Sequence, residues 1–190
     1  MTLAPHAFQR TLGADLRALR KARGVTLADL AQQLGRSVGW LSQVERDLSE
    51  PSVADLRSIA AVLDVSLSLL FDHSSAQEGE AGYIVRRNAR RPIGKGKPGL
   101  TEELLSPDLT DEFEMVHSTF DPGAHAAAPQ GRPTQEVGYM LSGRLDLTIA
   151  GRQFTVSAGD SFRIRGEPFE WHNPYDIPAV AIWVIAPPVY

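Results

Sequence analysis

The stretch Thr26–Asp47, TLADLAQQLGRSVGWLSQVERD, determines how the first half of the chain folds. Its apolar residues recur at helical spacing on both sides of Gly35, and Ser37 then follows as a residue that commonly caps a helix. The stretch therefore predicts a helix, a tight turn and a second helix. In this geometry the second helix is able to enter the major groove of DNA.

Bursts of apolar residues at the same spacing extend on both sides of this stretch, from Phe8 to Phe71. They predict five short helices in all. Thr26 and Asp29 resemble a capping box at the start of the second helix, and Gly35 stands where that helix should end. We therefore expect residues 8–72 to form a small all-α domain.

The pattern changes after a segment rich in Ser, Gly and Glu, residues 73–82, which is typical of a linker. Beyond it, apolar and polar residues alternate with a period of two, as in Leu145, Leu147 and Ile149. Turns separate these runs about every 8 to 12 residues, which is typical of all-β sandwiches and barrels. Residues 83–190 are therefore predicted to be an all-β domain, and the whole chain an α+β multidomain protein.

Composition and charge narrow the function classes. The chain of 190 residues has 19 Lys and Arg, 23 Asp and Glu, and no cysteine, which excludes disulfides, thiolate metal sites and cysteine nucleophiles. No apolar run approaches the roughly 18 residues of a membrane helix, so we expect a cytoplasmic protein with no membrane partner. The net charge of −4 divides into zero over 1–75, +4 over 76–97 and −8 over 98–190. The excess of acid therefore belongs to the β domain and does not argue against a nucleic-acid partner.

The helical domain resembles the helix-turn-helix domain of the lambda/434 repressor class, also called the XRE class. The matching motifs run in order through residues 17–65: R-x-x-R-x-x-x-G, L-x-x-L-A-x-x-L-G, S-x-x-x-L-S-x-x-E-R and P-S-x-x-x-L-x-x-I-A-x-x-L-x-V. The resemblance implies binding to double-stranded DNA. A single copy binds modestly, so we expect a homodimer on a pseudo-palindromic operator.

The resemblance also implies which side chains contact DNA. Contacts to the bases are expected from Ser37, Val38, Gly39, Ser42 and Gln43, with Arg46 near the end of the helix. Gln43 suits adenine and Val38 suits a thymine methyl group, although burial of Val38 in the core is an equal alternative. Contacts to phosphates, which position the domain without specifying sequence, are expected from Arg17, Arg20, Lys21 and Arg46.

The β domain resembles a cupin, a double-stranded β-helix barrel. The matching residues are E-x6-G from Glu136 to Gly143, G-D-S-F from Gly159 to Phe162, and the closing segment AVAIWVIAPPVY at 179–190. A helix-turn-helix domain followed by a cupin is the order found in a family of bacterial regulators. In that family the cupin senses a small molecule and mediates dimerisation.

Metal-binding cupins carry H-x-H-x(3,4)-E-x6-G and a further histidine in a second motif. This chain has Gln130 and Arg132 at the first two histidine positions and Phe169 at the third. Glu136 alone cannot hold a divalent ion, so we expect no metal and no cofactor. An alternative metal site would combine Glu136 with His117, His125 and His172.

A cupin without metal is expected to bind an organic effector inside the barrel. Strand alternation places Glu136 and Met140 on one face, and Arg163 and Arg165 share a face of their own. An inward Glu136 opposed by an inward arginine suits an amine, an amino acid or a carboxylate. The predicted ligand-binding residues are Glu136, Tyr139, Met140, Arg163, Arg165, Trp171 and Trp183. Core packing of the aromatic residues and surface salt bridges of the arginines are the alternatives.

A basic segment, RRNARRPIGKGKPG at 86–99, has two interpretations. In the first, its cations contact DNA phosphates beside the helical domain. In the second, it forms an edge strand of the barrel, and its cations discourage aggregation. We favour the strand.

These observations predict a sequence-specific DNA-binding transcriptional regulator, more often a repressor, and not an enzyme. One alternative is a cupin metalloenzyme of the epoxidase or dioxygenase type that carries a helix-turn-helix domain. The other is a regulator whose cupin serves only for dimerisation and binds no effector.

Overall fold

The computed structural model describes residues 11–71, 80, 82–93, 98–107, 109–129 and 131–189. The chain divides into two compact units, Met1–Arg90 with Pro107–Thr110, and Arg91–Ser106 with Asp111–Tyr190. Most of the predicted linker, residues 73–79 and 81, lies outside the described residues, as do residues 8–10. The predicted domain bounds 8–72 and 83–190 therefore stay predictions.

The first unit is helical. Its helices are α1 Leu12–Ala22, α2 Leu27–Gln33, α3 Val38–Val44, α4 Val53–Leu63 and the single short turn α5 Leu67–Phe71. Four of the five begin with a hydroxyl that accepts a backbone N–H three residues on, and these caps are Thr11, Thr26, Ser37 and Ser52. The predicted cap at Thr26 is confirmed, whereas the reciprocal capping box lies at α4, between Ser52 and Asp55. None of the described helices has the length and apolar character needed to span a membrane.

Leucines at helical spacing form the core of this unit, because the periodic face of each helix turns inward. The buried leucines of the first four helices are Leu16, Leu19, Leu30, Leu41, Leu56 and Leu63. At Gly13 the end of α3 approaches α1 so closely that a β-carbon would lie 2.4 Å from the Val44 carbonyl oxygen. The Gly13 amide donates to Asp47 at 2.9 Å, so a carboxylate stabilises the positive end of α1.

The second unit is built from nine antiparallel strands among the described residues: β1 Arg91–Ile93, β2 Leu100–Leu104, β3 Glu114–Phe120, β4 Gln135–Ser142, β5 Arg144–Ile149, β6 Arg152–Ser157, β7 Ser161–Ile164, β8 Phe169–His172 and β9 Ala179–Ala186. They form a six-stranded sheet in the order β1-β2-β3-β9-β4-β7 and a three-stranded sheet in the order β6-β5-β8. The strand pairings of the described residues give two separate sheets and do not close a barrel.

The inner faces of the two sheets meet in one apolar core. Trp171 packs edge-on against Phe120 at 4.8 Å between ring centroids, and Trp183 packs against Phe162 at 4.9 Å. Gly138 lies under the Phe162 ring, where a β-carbon would come within 2.1 Å of that ring. Glycine at this position therefore allows Phe162 to cross the sheet and enter the core.

Candidate nucleic-acid interface and sensor site

Helix α3 presents one open face and one buried face. Leu41 and Val44 are buried in the helical core, whereas Val38 is 47% exposed. Gly39 and Gln43 are exposed beside it, and Ser42 is half-buried. Of the two alternatives for Val38, the structure places the side chain outside the core. The open face therefore carries a methyl-bearing side chain, a hydroxyl and an amide.

The predicted base-contacting residues fall into two groups. Ser37 is the cap of α3, and its hydroxyl accepts from the Trp40 amide at 3.1 Å. Its side chain is thus already used to begin the helix. The remaining residues share the open face: Val38, Gly39, Ser42, Gln43 and Arg46.

Arg36, which the sequence analysis did not single out, supports the turn before α3. Its guanidinium lies over the Trp40 ring at 5.1 Å and forms an ion pair with Asp55 of α4 at 2.7 Å. The Ser52 hydroxyl, and after it Arg36, hold the pKa of Asp55 below its usual range. The turn is therefore fastened to α3 and to the start of α4 by one side chain. The spacing of four residues between Arg36 and Trp40 was the one sign in the sequence that the guanidinium could lie over the ring.

Arg20, one of the predicted phosphate ligands, forms an ion pair within the helical unit, and its contact with phosphate stays a prediction. Arg20 donates to both carboxylate oxygens of Glu45, at 2.6 and 2.9 Å, and to the Val25 carbonyl at 3.0 Å. Its hydrogen bonds to Glu45 raise its pKa, and Glu45 itself is buried. Arg20 therefore ties α1 to the end of α3, because a buried carboxylate needs a cationic partner.

The other predicted phosphate ligands are open to solvent. Arg17 and Lys21 are exposed on α1. Arg46 is exposed too, and its Nε donates to the Ser42 carbonyl at 3.1 Å. Their contacts to phosphate stay a prediction.

In the second unit the predicted pocket residues separate. Met140, Trp171 and Trp183 are buried in the core, and Glu136 is 2% exposed on the same inner face of the sheet. Tyr139 is 46% exposed and faces away from the core. The inner members therefore form one group, but Tyr139 does not belong to it.

The inward arginine expected from the sequence is wrong for Arg163 and Arg165. In the β4–β7 ladder Glu136 lies opposite Ile164, and Val137 lies opposite Arg163. Because side chains alternate along a strand, Ile164 points inward with Glu136, while the exposed Arg163 and Arg165 point outward. Alternation along one strand does not tell which residues of β4 and β7 lie opposite each other, and the sequence analysis had only that alternation.

The buried arginine of this unit is Arg91, which the sequence analysis treated as part of a basic segment. Arg91 is 3% exposed at the start of β1, and Glu114 of β3 is 1% exposed. Glu114 accepts from the Val189 amide at 3.1 Å, and Glu136 accepts from the Thr134 hydroxyl at 2.7 Å. Three ionisable side chains, Arg91, Glu114 and Glu136, are thus buried among the described residues of the second unit, although no motif marked Arg91 or Glu114.

The rest of the basic segment divides between local contacts and the sheet edge. Arg86 forms an ion pair with Glu80, and a short 3-10 turn occupies Arg87–Ala89. β1 is the edge strand of the larger sheet, as the favoured interpretation expected. Lys95 and Lys97 lie outside the described residues.

The alternative metal site of three histidines with Glu136 is not formed. His117 points outward from β3, 3.9 Å from Glu103. His125 and His172 lie together at the smaller sheet, with ring centroids 6.0 Å apart. Within the described ranges no three histidine, aspartate or glutamate side chains are arranged to hold a metal ion.

The positions that hold histidine in metal-binding cupins do not fit a metal here either. Phe169 is 4% exposed in the apolar core, and Arg132 would bring a cation. Gln130 lies outside the described residues. A carboxylate with an apolar ring and a guanidinium is not a donor set for a divalent ion.

Comparisons with known proteins match both units. A family model for the helix-turn-helix domain matches residues 11–70, and a model for the cupin domain matches residues 116–185. The chain therefore belongs to the helix-turn-helix transcriptional regulators that carry a C-terminal cupin domain.

Two relatives match over most of their length. The HTH-type transcriptional regulator PuuR of Escherichia coli (strain K12) is 26% identical over 165 residues, which cover 85% of this chain and 86% of that protein. SutR of the same strain is 29% identical over 159 residues, 83% and 84% of the two chains. The structure of KdgF from Halomonas sp. matches with a TM-score of 0.50 over 57% of this chain and 96% of that one. At 18% identity this last match shows a shared fold alone.

Proposed function

We propose that the protein is a sequence-specific regulator, with repression as the expected mode, and that α3 makes its base contacts. The observation that supports this is the open face of α3, where Val38, Gly39 and Gln43 are exposed while Leu41 and Val44 are buried. An amide in the major groove suits the paired acceptor and donor of adenine, and a branched methyl side chain suits thymine. The cap at Ser37 and the fastening by Arg36 hold this face in place.

Gln43→Ala tests the proposal. Loss of a bidentate contact to a base is expected to cost about 1 to 3 kcal/mol of specific binding, roughly a 5- to 150-fold loss of affinity. Binding to a scrambled duplex should hardly change, because phosphate contacts carry nonspecific affinity. Fluorescence anisotropy at one fixed salt concentration measures both.

The matched control is Gln135→Ala, which removes an exposed glutamine from the cupin unit. It should leave both affinities unchanged. If Gln43→Ala weakens binding to both duplexes equally, or to neither, α3 does not read sequence through Gln43.

We propose further that the protein acts as a homodimer joined through its cupin units. The outer apolar face of the larger sheet, by which we mean Met115, Val137, Tyr139, Leu141, Ile182 and Val184, supports this. In register, Val184 of β9 lies between Met115 and Val137, and Ile182 lies beside Tyr139. Apolar side chains thus cover three adjacent strands, and an apolar patch of this kind is typical of an interface.

Charges beside the outer apolar face favour a second copy of the chain as the partner that covers it. Arg163 lies opposite Val137 on the β7 side, and Glu103 lies opposite His117 on the β2 side. If a two-fold axis runs along the strands, the β7 side of one copy faces the β2 side of the other. Arg163 of each copy then faces the β2 side of its partner, where Glu103 lies two residues further along the strands, so opposite charges lie near each other at both edges of the interface.

We propose that the inner face of the cupin binds an organic effector that carries hydrogen-bonding groups. Glu136, Glu114 and Arg91 are buried there, so the inner face carries polar groups as well as apolar ones. The Ser118 hydroxyl is fully buried and has no hydrogen-bond partner among the described residues. A buried hydroxyl without a partner is rare in proteins, so it favours a ligand at this face.

Catalysis by a bound metal is not part of this proposal, because Arg132 and Phe169 do not fit the donor set that a cupin enzyme needs. A cupin that only dimerises remains the second candidate, and the tightly packed Trp171 and Trp183 favour it. A thermal-shift screen of amines, amino acids and carboxylates distinguishes the two. A ligand at 100 times its dissociation constant should stabilise the protein by about 2.7 kcal/mol, and Glu136→Gln should abolish that gain.

A further inference from the structure

A separate polar cavity lies on the outer surface of the smaller sheet, on the side away from the apolar core. Its volume is about 670 Å³. Across its floor, Thr155, Asp146 and His172 lie side by side on β6, β5 and β8, and His125 pairs with the far side of His172. We call this the outer cavity. The inner-face residues Glu136 and Arg91 do not line it.

One carboxylate in the outer cavity is held in position. Asp146 Oδ1 accepts from the Thr155 hydroxyl at 2.8 Å and from the Tyr175 hydroxyl at 2.9 Å. The Tyr175 ring in turn packs under the Arg144 guanidinium at 4.2 Å. Asp146 Oδ2 receives no hydrogen bond from the part of the chain that the structure describes. The carboxylate is therefore oriented, with one oxygen available to a ligand.

A second carboxylate faces the same space. Glu170 lies opposite Thr148 in the β5–β8 ladder, two residues from His172, so it is the diagonal neighbour of Asp146. Diagonal neighbours across a sheet are about 7 to 8 Å apart, close enough for two carboxylates to converge on one ligand group. Glu170 makes no hydrogen bond or ion pair with the described residues. Among the residues that the structure describes, no lysine or arginine lines the outer cavity.

We infer that the outer cavity binds a small organic cation, an amine that also carries hydroxyl groups. Two carboxylates without a lining cation favour a positive ligand, and the ammonium group would lie between Asp146 and Glu170. Thr148, Gln153 and the two imidazoles offer hydrogen-bonding partners for hydroxyl groups. These groups lie on the same outer face as Asp146 and Glu170, because Thr148 pairs with Gln153 and with Glu170 across the sheet.

Calorimetry on the full chain with glucosamine and with glucose tests this inference, because the two probes share a ring and differ by one amine. Glucosamine should bind and glucose should not. Glu170→Gln and Asp146→Asn should each weaken glucosamine binding at least about tenfold, the measure of a charge-assisted hydrogen bond. Asparagine still accepts from Thr155 and Tyr175, so Asp146→Asn removes the charge and keeps those bonds.

Two controls separate this site from the others. Glu112→Gln removes an exposed carboxylate elsewhere on the same unit and should leave glucosamine binding unchanged. Gln43→Ala should also leave it unchanged, since this site does not depend on DNA binding. Equal binding of glucose, no glucosamine binding at about 10 mM, or full affinity in either carboxylate variant would overturn the inference.

Discussion

At the scale of single residues, close contacts decide which side chains the helical unit accepts. Gly13 is the clearest case, because α1 and the end of α3 meet there with no room for a β-carbon. Gly39, on the open face of α3, has nothing within 4 Å of the corresponding position. The two helical glycines therefore predict opposite responses to the same substitution.

Gly13→Ala should lower the free energy of unfolding by about 1 to 3 kcal/mol, since the added methyl group must push the Val44 carbonyl away. Gly39→Ala should raise it by roughly 0.5 to 1 kcal/mol, because alanine favours the helix and meets no neighbour. Urea denaturation followed by circular dichroism measures both. Equal effects of the two substitutions would show that the α1–α3 contact is looser than described.

Sequence reasoning at this scale succeeded where a residue acts alone and failed where it acts through a distant partner. The cap at Thr26 depends on three neighbouring residues and was predicted. The pairing of Arg20 with Glu45 joins positions 25 residues apart, and only the packing of α1 against α3 brings them together. The burial of Arg91 was missed for a different reason: Arg91 belongs to a cluster of cations in the sequence, and such clusters usually indicate exposure to solvent.

At the scale of helices and strands, caps define where each helix begins. The capping box of α4 is the most complete, because the Ser52 hydroxyl accepts from the Asp55 amide and the Asp55 carboxylate accepts from Ser52. Arg36 also reaches Asp55. The start of α4 therefore supports the turn before α3.

Ser52→Ala should destabilise the protein by about 0.5 to 2 kcal/mol, the usual cost of losing a helix cap. The matched control is Ser58→Ala in the same helix, whose hydroxyl donates only to the Ala54 carbonyl and which is exposed. That change should be neutral or slightly stabilising, because alanine is the better helix former. Thermal and urea unfolding compare the two, and a neutral Ser52→Ala would contradict the assigned cap.

The elements themselves were largely predictable, and their mutual register was not. A period of 3.6 predicted the helices and a period of two predicted the strands, because each period reports one buried face. Arg163 was placed inside since only its own alternation was known, and the pairing of Val137 with Arg163 reverses that orientation. The position of Tyr139 on the outer face, by contrast, follows from alternation along β4 alone, because Tyr139 precedes the inward Met140 by one residue.

At the scale of the whole molecule, the exposed apolar face of the cupin unit and the open face of α3 support the proposal that one unit dimerises while the other contacts DNA. Dimerisation would supply two copies of α3, and two half-sites add the affinity that one short helix lacks. The excess of acid in residues 98–190 keeps nonspecific DNA contact on the helical unit.

Val137→Glu should convert the dimer to a monomer, because it places a charge on the outer apolar face. Operator affinity should fall at least about tenfold, since each half-site is then bound separately. Ile177→Glu is the matched control, as Ile177 is 58% exposed in a loop of the same unit. Sedimentation velocity reports the mass, and a dimeric Val137→Glu variant would exclude this face as the interface.

The central claim is that the protein recognises a DNA sequence, and selection from a pool of random duplexes tests it most directly. The purified full chain is incubated with the pool, and bound duplexes are amplified and sequenced over successive rounds. We expect an inverted repeat to be enriched, with half-sites centred about 10 base pairs apart or a multiple of one helical turn. Enrichment of no sequence above the starting pool would contradict the account.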